Sequence, residues 1–220
     1  MDIKLLKHTD SPDETVYRAA VICYSKDFAP DGPIDSQKVK KLLTNLYQSG
    51  HLSTFEHASF TFGISGISRV TTHQLVRHRL ASFSQQSQRY VEESADHADI
   101  IVPPSVESNP GAKEKFLSAA DAALKTYREL RESGVPAEDA RFVLPHGWST
   151  KIVVTMNARE LDHFFSLRMC ERAQWEIRDL AREMHRQCVA VAPFLFVKSG
   201  PACVRGDCRE THPCGRHPVK

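Results

Sequence analysis

The sequence predicts a mixed α/β fold of the α+β kind, in which one domain packs sheet and helices together. Segments of helical period alternate with short runs rich in β-branched residues, Phe or Thr, and the alternation has no regular βαβ rhythm. A length of 220 residues allows one substantial core or at most two small ones. No internal repeat is visible. The expected division is a body over 1–199 and a Cys/His-containing tail over 200–220.

The elements follow in chain order. Ile3 to Leu6 predicts a first strand, and Asp13 to Tyr24 an alanine-rich helix. Val39, Leu42, Leu43 and Leu46 recur at helical spacing after Ser36, with Gly50 as the stop. A strand is expected over Ser59 to Ile64, then a helix capped by Ser68 and running to about Leu80. Ser82 to Val91 is polar and reads as an extended or looped segment that binds something. Pro103, Pro104 and Pro110 make Ser94 to Gly111 loop or edge structure. Phe116, Ala120, Ala123, Leu124, Tyr127 and Leu130 mark a long helix ended by Gly134 and Pro136. A short helix over Ala137 to Leu144 and a strand at Ile152 to Val154 come next. Asn157 then caps a helix to about Met169. Ala173, Ile177, Leu180, Met184 and Cys188 define the last long helix, before Pro193.

Composition narrows the function classes. A formal net charge of +2, from 29 Lys and Arg against 27 Asp and Glu, gives no field suited to non-specific nucleic-acid binding. No run approaches the about 20 apolar residues of a membrane helix, and Met1-Asp2-Ile3-Lys4 has no signal-peptide character. A cytoplasmic protein is the expectation. Cys23, Cys170 and Cys188 stand alone in apolar or helical surroundings and are expected to be buried free thiols.

Arg77-His78-Arg79 is the most informative local feature. In the expected helix, Gln74, Arg77 and His78 share a face, whereas Arg77 and Arg79 diverge at about 100° per residue. The motif is then either a solvated basic helix end or a grip on two anions. Just downstream, Ser82 to Tyr90 offers hydroxyls, amides, a guanidinium and a phenol, which suit a phosphate, a sugar and a base edge or simply a polar surface loop.

Arg77-His78-Arg79, seven intervening residues, then Ser87-Gln88-Arg89 resembles the signature of the flavin-dependent thymidylate synthases. Gly50-His51-Leu52-Ser53-Thr54-Phe55-Glu56-His57 is similar to that family's Gly-His-x-[Ser/Thr]-x-Phe-Glu-His segment, and Arg141-Phe142-Val143-Leu144-Pro145 to its Arg-x-x-Leu-Pro element. Asn157-Ala158-Arg159, Leu167-Arg168 and Ala173-Gln174-Trp175-Glu176 resemble its C-terminal block. The matches run in order over residues 1 to 197, so the body over 1–199 reads as the catalytic domain.

The resemblance implies a homotetramer that binds FAD across subunits and converts dUMP to dTMP. The carbon would come from 5,10-methylenetetrahydrofolate and the reducing equivalents from NADPH. Arg77, His78, Arg79, Ser53, Gln85, Asn157, Arg159 and His163 would contact FAD, with His51 and Glu56 near it. Gln74, Arg77, Gln85, Gln86, Ser87, Gln88 and Arg89 would hold dUMP, assisted by Arg141. Arg168 would favour ionisation at N3 of the uracil and is the expected catalytic residue. Some members carry Glu in place of Gln85, Asn in place of His163 and His in place of Arg172, so no carboxylate base is carried over to Gln85. Without the resemblance, Arg159 with His163 and Arg168 with Arg172 would read as solvated helix faces, His57 and His73 as surface or structural residues, and Trp175 as core.

No Pro-Cys-His segment in the body offers a thiol nucleophile, and no Gly-x-Gly-x-x-Gly follows a predicted strand. Cys203, Cys208 and Cys214, separated by four and five residues with His212 and His217 nearby, read as a zinc site or as a thiol-bearing tail. No metal is assigned there. Two rivals stand beside the main reading: a flavin or nucleotide oxidoreductase without methyl transfer, and a basic nucleic-acid module with a metal-bound tail.

Overall fold

Strand β1 (Asp2–His8), β2 (Ser59–Ser68), β3 (Ala81–Gln85) and β4 (Ser149–Asn157) form one four-stranded sheet in the order β1-β2-β4-β3. The computed structural model describes residues 1–28, 32–91, 99–206, 208 and 210–215. Ser94 and His217, on which two expectations rest, lie outside the described residues. The inner strands obey the two-residue period of a half-buried sheet. Phe60, Phe62 and Ile64 are buried in β2, and Thr150, Ile152, Val154 and Met156 in β4, while Lys151 and Val153 are exposed. On the other face, the hydroxyls of Thr61 and Thr155 share a 2.9 Å hydrogen bond. At Gly66 the backbone takes φ +67°, and an added Cβ would stand 3.2 Å from the Met1 nitrogen, so glycine is required there.

The chain forms two compact units that are interleaved in sequence. Unit 1 comprises Met1–Asp2, Ile64–Leu75 and Ser84–Val153. It carries helices α3 (Arg69–Leu75), α4 (Pro104–Glu107), α5 (Pro110–Glu132) and α6 (Ala137–Ala140). Its core gathers Leu124, Tyr127, Ala140, Leu144 and a fully buried Trp148. Helix α5 begins where Asn109 accepts from the Ala112 amide and Pro110 takes the first turn.

Unit 2 comprises Ile3–Gly63, Val76–Phe83 and Val154–Lys220. It carries α1 (Pro12–Val21), α2 (Ser36–Gln48), α7 (Ala158–Arg168), α8 (Trp175–Val191) and α9 (Pro193–Phe196). Phe196 packs edge-on against Phe60 at 5.3 Å and Phe165 at 5.9 Å. Asn157 caps α7 by accepting from the Glu160 amide at 2.9 Å, as its position in the sequence predicts. Gln174 caps α8, its side-chain oxygen accepting from both the Glu176 and Ile177 amides.

Several expected boundaries move. The helix expected to reach Leu80 ends at Leu75, because Val76 and Leu80 face solvent and no apolar buried stripe continues it. Ser68 is the last residue of β2, and its hydroxyl still accepts from the Thr71 amide at 3.2 Å. The segment read as extended or looped opens with β3. The proline-rich stretch holds α4 and the start of α5, since prolines suit first helical turns. The helix expected over Ala137 to Leu144 is α6 followed by a 3₁₀ turn, Arg141–Val143. Of the three cysteines expected to be buried only Cys188 is, whereas Cys23 is exposed just past the end of α1 and Cys170 is half-buried past α7.

Candidate functional site

Within unit 2 the centre of the site is a row of three side chains, two buried and one half-buried. His78 sits in the segment after α3 between exposed neighbours: Val76, Arg77, Arg79 and Leu80 are exposed while His78 is only 3% exposed. Its Nδ1 lies 3.2 Å from Oε1 of Glu160, in the first turn of α7. Its Nε2 accepts a 3.1 Å hydrogen bond from Nε of Arg168, the last residue of that helix. A guanidinium can only donate, so Nε2 carries no proton. The imidazole is therefore neutral, with its proton on Nδ1 donated to the Glu160 carboxylate. Phe164 meets the ring edge-on at 4.9 Å, and His163 stands 5.8 Å away.

The electrostatics agree with that tautomer. Burial, then the charge of Arg168 and of His163, brings the His78 pKa down to about 4. Burial likewise raises the Glu160 carboxyl and lowers the half-buried Arg168 guanidinium. Linkage gives a prediction. Between about pH 6.5 and about pH 4 the unfolded chain takes up a proton on His78 that the folded chain refuses, so stability falls as pH falls. At pH 5 this contribution is about 2 kcal/mol. Urea unfolding at pH 7 and pH 5 should show it, and His78→Gln should lose that share of the pH dependence. Equal falls in both proteins would contradict a neutral buried His78.

The other predicted residues of this unit surround the row. Arg159 is exposed and pairs with Glu56 at 2.5 Å, joining α7 to the 3₁₀ turn Leu52–His57, which also carries Ser53. Ser53, His51, Arg77, Arg79, Arg159 and His163 are all exposed, and the buried Thr54 hydroxyl lacks a partner. The structure thus brings together Ser53, His78, Asn157, Arg159, His163 and Arg168. It does not place Gln74, Arg77 and His78 on one helix face, because α3 has ended. Arg172 also falls beyond the end of α7, so it shares no helical face with Arg168.

Unit 1 holds the remaining predicted residues. Gln85 ends β3, and its Nε2 donates at 3.3 Å to the hydroxyls of Thr72 and Thr150, which fixes the plane of the amide. The Gln86 amide donates to the Lys151 carbonyl at 2.9 Å, while its carbonyl accepts from Arg69 at 3.1 Å. The Ser87 hydroxyl accepts from the Arg89 amide, and Gln88 is buried. Arg89 and Arg141 converge on one residue. Arg89 Nε pairs with the Glu138 carboxylate at 2.7 Å, and Arg141 Nε donates to the Glu138 carbonyl at 3.0 Å. Gln74 is half-buried on α3. His73 is exposed and stacks on His146 at 5.2 Å.

Sequence reasoning missed Glu160, Thr72, Thr150 and Glu138. Glu160 carried one usable signal, an acid in the first helical turn three residues after an Asn cap, but that pattern also marks ordinary helix starts. A groove of about 740 Å³ in unit 2 runs along β1 and α8 and contains none of the predicted site residues.

The donor set suits anionic ligands carrying phosphate and ring edges: guanidiniums for phosphate oxygens, amides and hydroxyls for a base and a sugar. The family described as thymidylate synthase complementing protein matches residues 4–194. A flavin-dependent thymidylate synthase of Geobacter sulfurreducens is 52% identical over 212 residues, spanning 96% of this chain and 91% of the relative. One from Nitratidesulfovibrio vulgaris is 45% identical over 236 residues (99% and 96%), and one from Pyrococcus abyssi 43% over 218 residues (94% and 89%). By these matches the chain belongs to the flavin-dependent thymidylate synthase family.

Proposed function

We propose that this chain methylates dUMP to dTMP, taking the carbon from 5,10-methylenetetrahydrofolate and the reducing equivalents from NADPH through FAD. The observation that carries the reading is the half-buried Arg168 guanidinium, held from behind by a neutral imidazole. Such a cation, partly shielded from water, stabilises negative charge on a uracil ring more strongly than it would in bulk solvent. That is the activation required at C5 when no enzyme thiol adds to the ring.

FAD fits the residues of unit 2. Arg77, Arg79 and Arg159 are exposed cations suited to a pyrophosphate, and the exposed Ser53 hydroxyl and the orphaned Thr54 hydroxyl add polar partners. The Arg159–Glu56 pair is itself exposed and worth about 0–1 kcal/mol, so Arg159 is cheaply released toward a ligand. When bound, the flavin supplies the hydride, while the protein's share is orientation and charge. Asn157 and His163 complete this set. For dUMP, Gln74, Gln85, Gln86, Ser87 and Gln88 supply donors and acceptors, and Arg89 and Arg141 supply cations. The proposal includes a homotetramer with FAD shared between subunits, working in the cytoplasm.

The test is a visible spectrum of the purified chain, followed by a dTMP assay with NADPH, methylenetetrahydrofolate and dUMP. Flavin absorbance and dUMP-dependent dTMP are the expected results. NADPH oxidation without dTMP would leave an oxidoreductase, and uptake of neither FAD nor dUMP would end the assignment. A monomer retaining FAD in light scattering would remove the shared site.

A further inference from the structure

The tail thiols do not stand alone. Cys203, Cys208 and Cys214 line a cavity of about 160 Å³ in unit 2, and a fourth cysteine from the body, Cys170, lines it with them. All four are free thiols. Contacts without sulfur bring the tail to this place. Arg172 donates to the His212 carbonyl oxygen and lies 3.5 Å from the Glu210 carboxylate. His212 itself does not line the cavity.

We propose that Cys170, Cys203, Cys208 and Cys214 form a tetrathiolate site for one zinc ion, fastening the tail to the segment that follows α7. Four thiolates with no open position make a structural zinc site, and soft sulfur ligands favour zinc over hard divalent cations. On binding, four S–H bonds break, four Zn–S bonds form and four protons leave to solvent, giving the site a net charge of −2. Arg172 and Arg182 line the same cavity, each shared with a carboxylate (Glu210 and Glu171), and offer N–H donors to thiolate sulfur.

Among the described residues no three such side chains already stand close enough to hold an ion, so binding must draw the sulfurs inward from the cavity wall. The backbone permits this. Cys170, Cys208 and Cys214 lie outside helix and strand, and Gly206 and Gly215, at φ +110° and +75°, flank the last two. The spacing in the tail lacks a Cys-x-x-Cys pair because the fourth ligand comes from 33 positions before Cys203 in the chain, beyond the reach of a local motif.

The proposal is independent of flavin and nucleotide binding. Full-length protein purified without chelator should contain about one zinc per chain by elemental analysis. Cys170→Ser and Cys214→Ser should each lose most of it, and Cys23→Ser, at an exposed cysteine outside the cavity, should keep it. Co²⁺ added alone to metal-free protein should give the intense visible bands of a tetrahedral site with sulfur-to-cobalt charge transfer, weakened in each ligand variant. If Cys170→Ser fails to fold, Cys214→Ser and Cys208→Ser decide the matter, since both lie in irregular backbone. Metal-free protein with six thiols on titration in denaturant and no tetrahedral cobalt spectrum would overturn the site. So would fewer than six thiols without zinc, which means a disulfide, or full zinc in the serine variants.

Discussion

Alanine at Arg168 should leave flavin bound and reduce dTMP formation by about 10²–10³-fold, the usual loss when one preorganised donor to a developing anion is removed. Flavin retention is expected because the exposed cations assigned to it, Arg77, Arg79 and Arg159, sit on other segments or at the opposite end of α7. The loss should fall on the chemical step. Arg168 spends Nε on His78, which aims the outer part of the guanidinium rather than leaving it to rotate in solvent. Lysine at this position keeps a charge but has no second N–H in a rigid fork, so it cannot both brace on His78 and meet the ring. Arg168→Lys should therefore recover only a minor part of the rate. Flavin absorbance and single-turnover dTMP formation with pre-reduced enzyme measure the two quantities separately. Unchanged turnover in Arg168→Ala would remove this residue from the mechanism.

Features with a local cause were legible in the sequence. Asn157 as a cap, the long α5 bounded by Gly134, and the period-two burial around Ile152 and Val154 each depend on residues within a few positions of one another. The end of α3 was not legible. Stopping at Leu75 depends on Val76 and Leu80 having no core to meet, and on His78 turning inward to Glu160, 82 residues away in sequence. Glu160 was invisible as a site residue for the same reason. Its first-turn position looks like helix-dipole chemistry, and only the fold shows that it is buried against an imidazole. Cys170 was likewise read as an isolated thiol, because nothing local announces that the tail returns to it. Most of the predicted ligands for dUMP fall in unit 1, Arg77 and Arg168 excepted, and most of those for FAD in unit 2. That division follows tertiary packing and has no counterpart in residue spacing.

Glu160 should act as a positioning residue, through His78, for the charge on Arg168. Glu160→Ala removes the acceptor of a buried Nδ1–H, which by itself costs about 1–3 kcal/mol of stability. The larger effect is on the tautomer. Without that acceptor, the ring proton can move to Nε2, where it opposes the Nε–H of Arg168 and dislodges the guanidinium. A displacement on the order of 1 Å at a reacting group costs about 10²-fold in rate, and that loss is expected in kcat with little change in KM for dUMP. Glu160→Gln separates orientation from charge. Its amide oxygen can still accept from Nδ1–H, so it should recover most of the rate even though the negative charge is gone. A purely structural role would lower stability in the alanine variant while leaving kcat intact in the protein that remains folded. A parental kcat in Glu160→Ala would therefore end the positioning role. Equal loss in both variants would show that the carboxylate's charge, rather than its geometry, supports Arg168. Nitrogen chemical shifts of His78 report the tautomer directly: proton on Nδ1 in the parent and in Glu160→Gln, and on Nε2 or exchanging between the two in Glu160→Ala.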